Sequence, residues 1–132
     1  MKMTRILIVD EDTDVLRLLR IKLSRAGYTV SRARDGQEAL AAVASEAPDI
    51  VVTELLLPDM DGIDLIAQLR DAESPPLVMG LSGRVTDEAI SSALAAGAAD
   101  YVTKPFSPQG LLERLRVNLI RATLAVNIGQ EA

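Results

Sequence analysis

The sequence predicts a doubly wound α/β domain, a parallel five-stranded sheet with helices on both faces. Three observations predict it. Continuous apolar runs such as Ile6-Leu7-Ile8-Val9 and Ile50-Val51-Val52 suit strands buried on both faces. After each strand-like run, apolar residues recur at helical spacing, and this pairing occurs five times. Gly, Pro and Asp fall at the junctions between them. Strict alternation of this kind implies right-handed crossovers between parallel strands.

The elements follow in order. Ile6–Val9 is the first strand and ends at Asp10-Glu11-Asp12. Val15–Ala26 is a helix, with Leu16, Leu19, Leu23 and Ala26 on one stripe, Asp12 or Thr13 as cap and Gly27 at its end. Arg17, Arg20 and Arg25 fall off that stripe and read as a solvated face. Tyr28–Arg32 is a weaker strand, Asp35-Gly36 a turn, and Gln37–Glu46 an Ala-rich helix stopped by Ala47-Pro48. Asp49–Thr53 is the third strand and Gly62–Ala72 the third helix. Leu77–Leu81 is the fourth strand, ending at Ser82-Gly83. Thr86 caps a helix to Ala96, with Asp87 and Glu88 well placed in its first turn and Gly97 closing it. Asp100–Thr103 is a short fifth strand. Ser107-Pro108 opens a long last helix, with Leu112, Leu115, Leu119, Ala122 and Val126 in a 3-4-3-4 pattern. That stripe suits a packed terminal helix, and a dimer seam or the start of a linker remains open.

Length and composition bound the function. A chain of 132 residues is one domain on the usual prior, able to bury about two-thirds of its unfolded surface. Hydrophobic residues make up 48% but only three are aromatic, so the core must be aliphatic. There is no cysteine and no histidine, which excludes disulfides, thiol chemistry, histidine metal sites and Ser-His-Asp catalysis. A net charge of −5 disfavours direct nucleic-acid binding. The apolar runs are too short for a membrane span, and the run after Met1-Lys2-Met3-Thr4-Arg5 is too short for a signal peptide, so the expectation is a cytoplasmic protein.

In an open α/β sheet, ligands bind beyond the carboxyl ends of the strands. Those ends carry Asp10, Glu11 and Asp12, then Glu54, then Ser82, then Thr103-Lys104. Clustered carboxylates repel unless a cation or Lys104 offsets them, and an all-oxygen donor set suits Mg²⁺. A calcium loop at Asp10-x-Asp12-x-Asp14 is rejected, because Val15 stands where Gly is needed and Ile21 where Glu is needed. Asp59 and Asp61 read as turn residues feeding Gly62, without chemistry of their own.

These pieces, in this order and spacing, resemble the response regulator receiver domain. The matching stretches are Ile6-Leu7-Ile8-Val9-Asp10-Glu11, Pro48-Asp49-Ile50-Val51-Val52 and Leu57-Pro58-Asp59-Met60-Asp61-Gly62. Leu81-Ser82-Gly83 and Gly97-Ala98-Ala99-Asp100-Tyr101-Val102-Thr103-Lys104-Pro105-Phe106 complete them. The resemblance covers residues 4–122 and leaves 123–132 as an extension of the last helix or a linker. It implies a flavodoxin-like sheet in the order 2-1-3-4-5 with five helices. It implies a role in two-component phosphorelay signalling rather than an enzyme. It further implies Mg²⁺ held by Asp10, Glu11, Glu54 and the backbone carbonyl of Leu56. Ser82 looks like the switch hydroxyl, Lys104 like the lysine that bonds a phosphoryl oxygen, and Tyr101 like the aromatic whose rotamer follows Ser82. The Lys104-Pro105 bond would be cis. The implied partners are a sensor histidine kinase or phosphotransfer protein, and an output domain or protein at the face of the fourth helix, fifth strand and fifth helix. A homodimer is compatible with this, and neither nucleic acid nor membrane is an expected direct partner.

One position departs from the family pattern. Glu54 stands where the family has its phosphoacceptor Asp. The extra methylene adds roughly 1.5 Å of reach, and a misplacement of about 1 Å can cost about 100-fold in a positioned reaction. The expectation is that Glu54 imitates the phosphorylated state or marks a receiver that works without phosphorylation. The alternative from another class is a Mg²⁺-dependent haloacid dehalogenase-like phosphatase with Asp10 as nucleophile, Asp12 as general acid, and Ser82 and Lys104 assisting. Against it, Asp14 stands where that motif wants Thr or Val, and no acidic motif follows a later strand.

Overall fold

The computed structural model describes residues 3–131, and side chains through residue 125. Five strands and five helices alternate: β1 (Arg5–Val9), α1 (Thr13–Arg25), β2 (Thr29–Ala33), α2 (Gly36–Glu46), β3 (Ile50–Thr53), α3 (Gly62–Arg70), β4 (Leu77–Ser82), α4 (Asp87–Ala96), β5 (Asp100–Thr103) and α5 (Pro108–Glu131). All strand pairs are parallel, and the sheet order is β2-β1-β3-β4-β5. The expected architecture and strand order are therefore both observed.

The buried apolar runs explain the two layers. Successive side chains of a strand point to opposite faces. Ile6, Ile8, Ile50, Val52, Met79 and Leu81 face one way and meet Leu16, Leu19 and Leu23 of α1 with Leu111, Leu112 and Leu115 of α5. Leu7, Val9, Val51 and Val78 face the other way and meet Ala39 of α2, Leu65, Ile66 and Leu69 of α3, and Ala93 of α4. The small residues of α2 and α4 thus serve close packing.

The caps follow local chemistry. Asp12, not Thr13, caps α1 by accepting the Asp14 N–H at 2.9 Å, and the helix starts at Thr13, two residues before the expected Val15. Thr86 caps α4 through the Ala89 N–H, and Ser107 accepts the Gly110 N–H at the start of α5. Gly27 takes φ +100° just past α1, where a left-handed residue ends the helix. Ala47 takes the corresponding position after α2 with φ 47°, ahead of Pro48. On α5, Leu112 and Leu115 are buried and Leu119 packs partly against the core. Val126, the last position of the expected stripe, lies outside the described side chains.

Candidate functional site at the carboxyl edge of the sheet

Asp10 directly follows β1, its N–H bonded to the Ala33 carbonyl at 3.0 Å. Glu54 directly follows β3, its N–H bonded to the Val9 carbonyl at 2.9 Å. The central pairing of β1 with β3 thereby sets the two acids side by side. Both are buried, at 4% and 7% exposure. The Lys104 N–H bonds the Ser82 carbonyl at 2.9 Å, which brings the lysine across from the far side of the sheet. Its Nζ lies 2.6 Å from Asp10 Oδ2 and 3.5 Å from Glu54 Oε1. The Lys104–Pro105 bond is cis, as the resemblance implies.

One ammonium thus serves two buried carboxylates. Burial alone would lower the Lys104 pKa, but the Asp10 hydrogen bond and the charges of Asp10 and Glu54 outweigh it and raise it above its usual value. The remaining carboxylate oxygens are also held. Asp10 Oδ1 accepts the Asp12 N–H at 2.9 Å, and Glu54 Oε2 accepts the N–H of its own neighbour Leu55 at 2.8 Å. Glu54 therefore curls back on its own backbone with one oxygen and faces Lys104 with the other. Ser82 is fully buried, and its Oγ accepts the Arg84 N–H at 3.1 Å. Glu11, the next residue along from Asp10, is exposed. Leu56 has an exposed side chain and an isolated antiparallel bridge to Asp61.

Two loops frame this pocket. In the first, 54–61, Asp59 accepts the Gly36 N–H at 2.8 Å and the Gln37 N–H at 2.9 Å, so it holds two amides at the N-terminus of α2 from 22–23 residues away, beside the cap residue Asp35. The Gly36 hydrogen bond, seconded by that of Gln37, holds the Asp59 carboxyl below its usual value of 3.8. Asp61 caps α3 through the Ile63 N–H at 2.9 Å. In the second loop, 83–86, the Arg84 guanidinium reaches Asp61 at 3.3 and 3.4 Å. The Arg84 carbonyl accepts the Tyr101 hydroxyl, and the Tyr101 ring lies over Gly80, its partner in the β4–β5 register. The sequence reading missed Arg84 and Gly80, and took Asp59 and Asp61 for simple turn residues. Their partners are distant in sequence, so no spacing signals them.

Beside the pocket, β5 and α5 are tied by Asp100. Burial raises its carboxyl, but hydrogen bonds from Arg114, from Asn118 Nδ2 (2.9 Å) and from the Tyr101 N–H (2.8 Å) outweigh that and hold it below 3.8. Among the described residues, no group of three or more acids lies close enough to hold a metal ion by itself. What the donor chemistry does fit is Mg²⁺ on one or two carboxylates with carbonyl and water oxygens. Asp10 and Glu54 provide two buried carboxylates on one edge, each with an oxygen already facing the Lys104 ammonium.

Residues 6–116 match the family described as response regulator receiver domain. The chain belongs to that family. The transcriptional regulatory protein KdpE of Mycobacterium tuberculosis is 44% identical over 128 residues, which are 97% of this chain and 56% of that protein. The alkaline phosphatase synthesis transcriptional regulatory protein PhoP of Bacillus subtilis is 38% identical over 92% of this chain and 50% of its own length. The chain spans about half the length of the curated relatives it matches. Among solved structures, a receiver domain protein of Methanospirillum hungatei superposes with a TM-score of 0.87 at 32% identity, covering 91% of this chain and 96% of that one. A two-component response regulator of Clostridium difficile gives 0.86 at 28% identity, covering 90% and 98%.

The protein is thus a receiver domain of a two-component response regulator, and receiver domains generally bind Mg²⁺ at the phosphorylation site. Nothing in the site or in these similarities favours the phosphatase alternative. Asp12, the general acid of that reading, is exposed and committed as the cap of α1. Among the described residues, no helix is long and apolar enough to cross a membrane.

Proposed function

We propose that this receiver domain, spanning residues 4–122 with 123–132 as a helical extension or linker, works with Glu54 as a built-in imitation of the phosphorylated acceptor. The observation that carries the reading is the Lys104 ammonium, held between Asp10 and Glu54 with both carboxylates buried. Glu54 returns one oxygen to the Leu55 N–H, and its extra methylene leaves the other facing the Lys104 ammonium at 3.5 Å. Lys104 can therefore be engaged by a covalently permanent carboxylate.

In this reading Asp10, Glu11, Glu54 and the Leu56 carbonyl are the groups that would hold Mg²⁺. The ion would supply positive charge against the clustered acids. Ser82 is the switch hydroxyl and Tyr101 the aromatic that reports its state. A sensor histidine kinase or phosphotransfer protein is the upstream partner. An output domain or protein is the downstream one, at the α4–β5–α5 face, and a homodimer through that face is compatible with it. Leu94 of α4 and Val117 of α5 are exposed apolar residues on two of these elements, which supports their use in a contact surface.

Acetyl phosphate labelling with mass spectrometry tests the reading, comparing the parent with Glu54→Asp. The expected outcome is no acyl phosphate on the parent, a hydroxylamine-sensitive adduct on Glu54→Asp, and partner or self-association of the parent matching that of the phosphorylated variant. A high-occupancy adduct on Glu54 itself would overturn it.

A further inference from the structure

Arg84 uses all three of its polar groups on different partners. Its N–H donates to the Ser82 Oγ at 3.1 Å, its carbonyl accepts the Tyr101 hydroxyl, and its guanidinium pairs with Asp61 at 3.3 and 3.4 Å. The first two bonds fix the switch hydroxyl and the switch aromatic to one backbone unit. The third ties that unit to the cap of α3, in the loop that begins at Glu54. The Tyr101 ring needs a second condition. An ideal Cβ on Gly80 would lie 2.8 Å from Tyr101 Cδ2 and 3.1 Å from Cε2, so the ring occupies space that only glycine leaves open.

We infer that Arg84 is a positioning residue that presets the Tyr101 switch with its ring against Gly80, with Asp61 as the anchor and Gly80 as the notch that receives the ring. The inference rests on the reading of Ser82 and Tyr101 as the switch pair. It deepens that reading by placing the bias in the β4–α4 loop as well as in residue 54. The side chains of Arg84 and Asp61 are 32% and 48% exposed, so the anchor is screened by salt. The preset therefore weakens as ionic strength rises, whereas the Gly80 notch is steric and does not.

The chain has two tyrosines and no tryptophan, so a Tyr28→Phe background leaves Tyr101 as the sole tyrosine fluorophore. Acrylamide quenching then reads the exposure of its ring, with circular dichroism confirming that each variant is folded. Arg84→Gln is expected to raise the quenching constant about twofold, the scale of an exposed ion pair. Asp61→Asn, which keeps an acceptor for the Ile63 N–H, should do the same, and the double variant should add nothing further. Arg84→Lys should restore the parent value. High salt should raise quenching in the parent and leave Arg84→Gln unchanged. Gly80→Ala should raise quenching at every salt concentration. Parent-like quenching in both Arg84→Gln and Asp61→Asn, or in Gly80→Ala, would overturn the inference. The readout needs no phosphorylation. An acyl phosphate on Glu54 would sink the proposal for residue 54 and leave this result standing, and unchanged quenching would do the reverse.

Discussion

Two glycines distinguish the loops that frame the pocket. An ideal Cβ on Gly62, at the end of the 54–61 loop, would lie 2.4 Å from Leu55 Cα and 2.7 Å from the Glu54 carbonyl oxygen. At Gly83, in the 83–86 loop, a Cβ would meet nothing within 4 Å. The first loop is further pinned by Asp59 to α2 and by the Gly62 N–H to the Leu55 carbonyl at 2.8 Å. The second depends on one half-exposed ion pair and two hydrogen bonds to a single backbone unit. One loop is built to hold residue 54 still. The other has the room and the weak tethers that a moving part requires, since segments that switch come from the low-stability end of a structure.

That contrast can be broken, with the largest effect expected at Gly62. Gly62→Ala forces backbone against backbone beside Glu54 and should cost about 3 kcal/mol or more in urea unfolding. Lys104→Met comes next. It leaves Asp10 and Glu54 buried without their ammonium, and because Lys104 is partly exposed the loss should be about 2–3 kcal/mol. Glu54→Gln in the same background should recover part of it, since one of the two charges is then gone.

Acid titration sharpens the comparison on the rigid side. Asp59 and Asp100 have folded-state pKa values below the ordinary 3.8. Their contribution is therefore complete above that value and is lost as pH falls through the lower folded values. The urea midpoint should drop below about pH 4, and Asp59→Asn should flatten that drop. Gly83→Ala should be the smallest effect, within about 0.5 kcal/mol of the parent.

Much of the fold could be read from the sequence because its signals are local. The Ile6–Val9 and Ile50–Val52 runs, the helical stripe of Leu16, Leu19 and Leu23, and the Thr86 and Ser107 caps each lie within a few residues of what they specify. Boundaries were harder. Asp12 wins the cap of α1 because its carboxylate reaches the Asp14 N–H, and the apolar stripe does not report that bond. The pocket residues Asp10, Glu54, Ser82 and Lys104 were legible as strand ends. Arg84 was not, because its role depends on a carbonyl, an N–H and a charge partner 23 residues away.

The sequence by itself determined the alternation of strand and helix and the aliphatic core. It also determined which side chains stand at the carboxyl edge of the sheet. Periodicity and turn chemistry act over one element, so they survive without a tertiary frame. Only the tertiary structure decided that Lys104 reaches Asp10 across 94 residues, that Asp59 holds the first amides of α2 rather than merely turning the chain, and that Glu54 divides its oxygens between Leu55 and Lys104. These outcomes depend on β1, β3, β4 and β5 pairing in register and on the loops closing over their ends. Hydrogen bonds and ion pairs require positions fixed to a few tenths of an ångström, and a linear pattern does not carry that information.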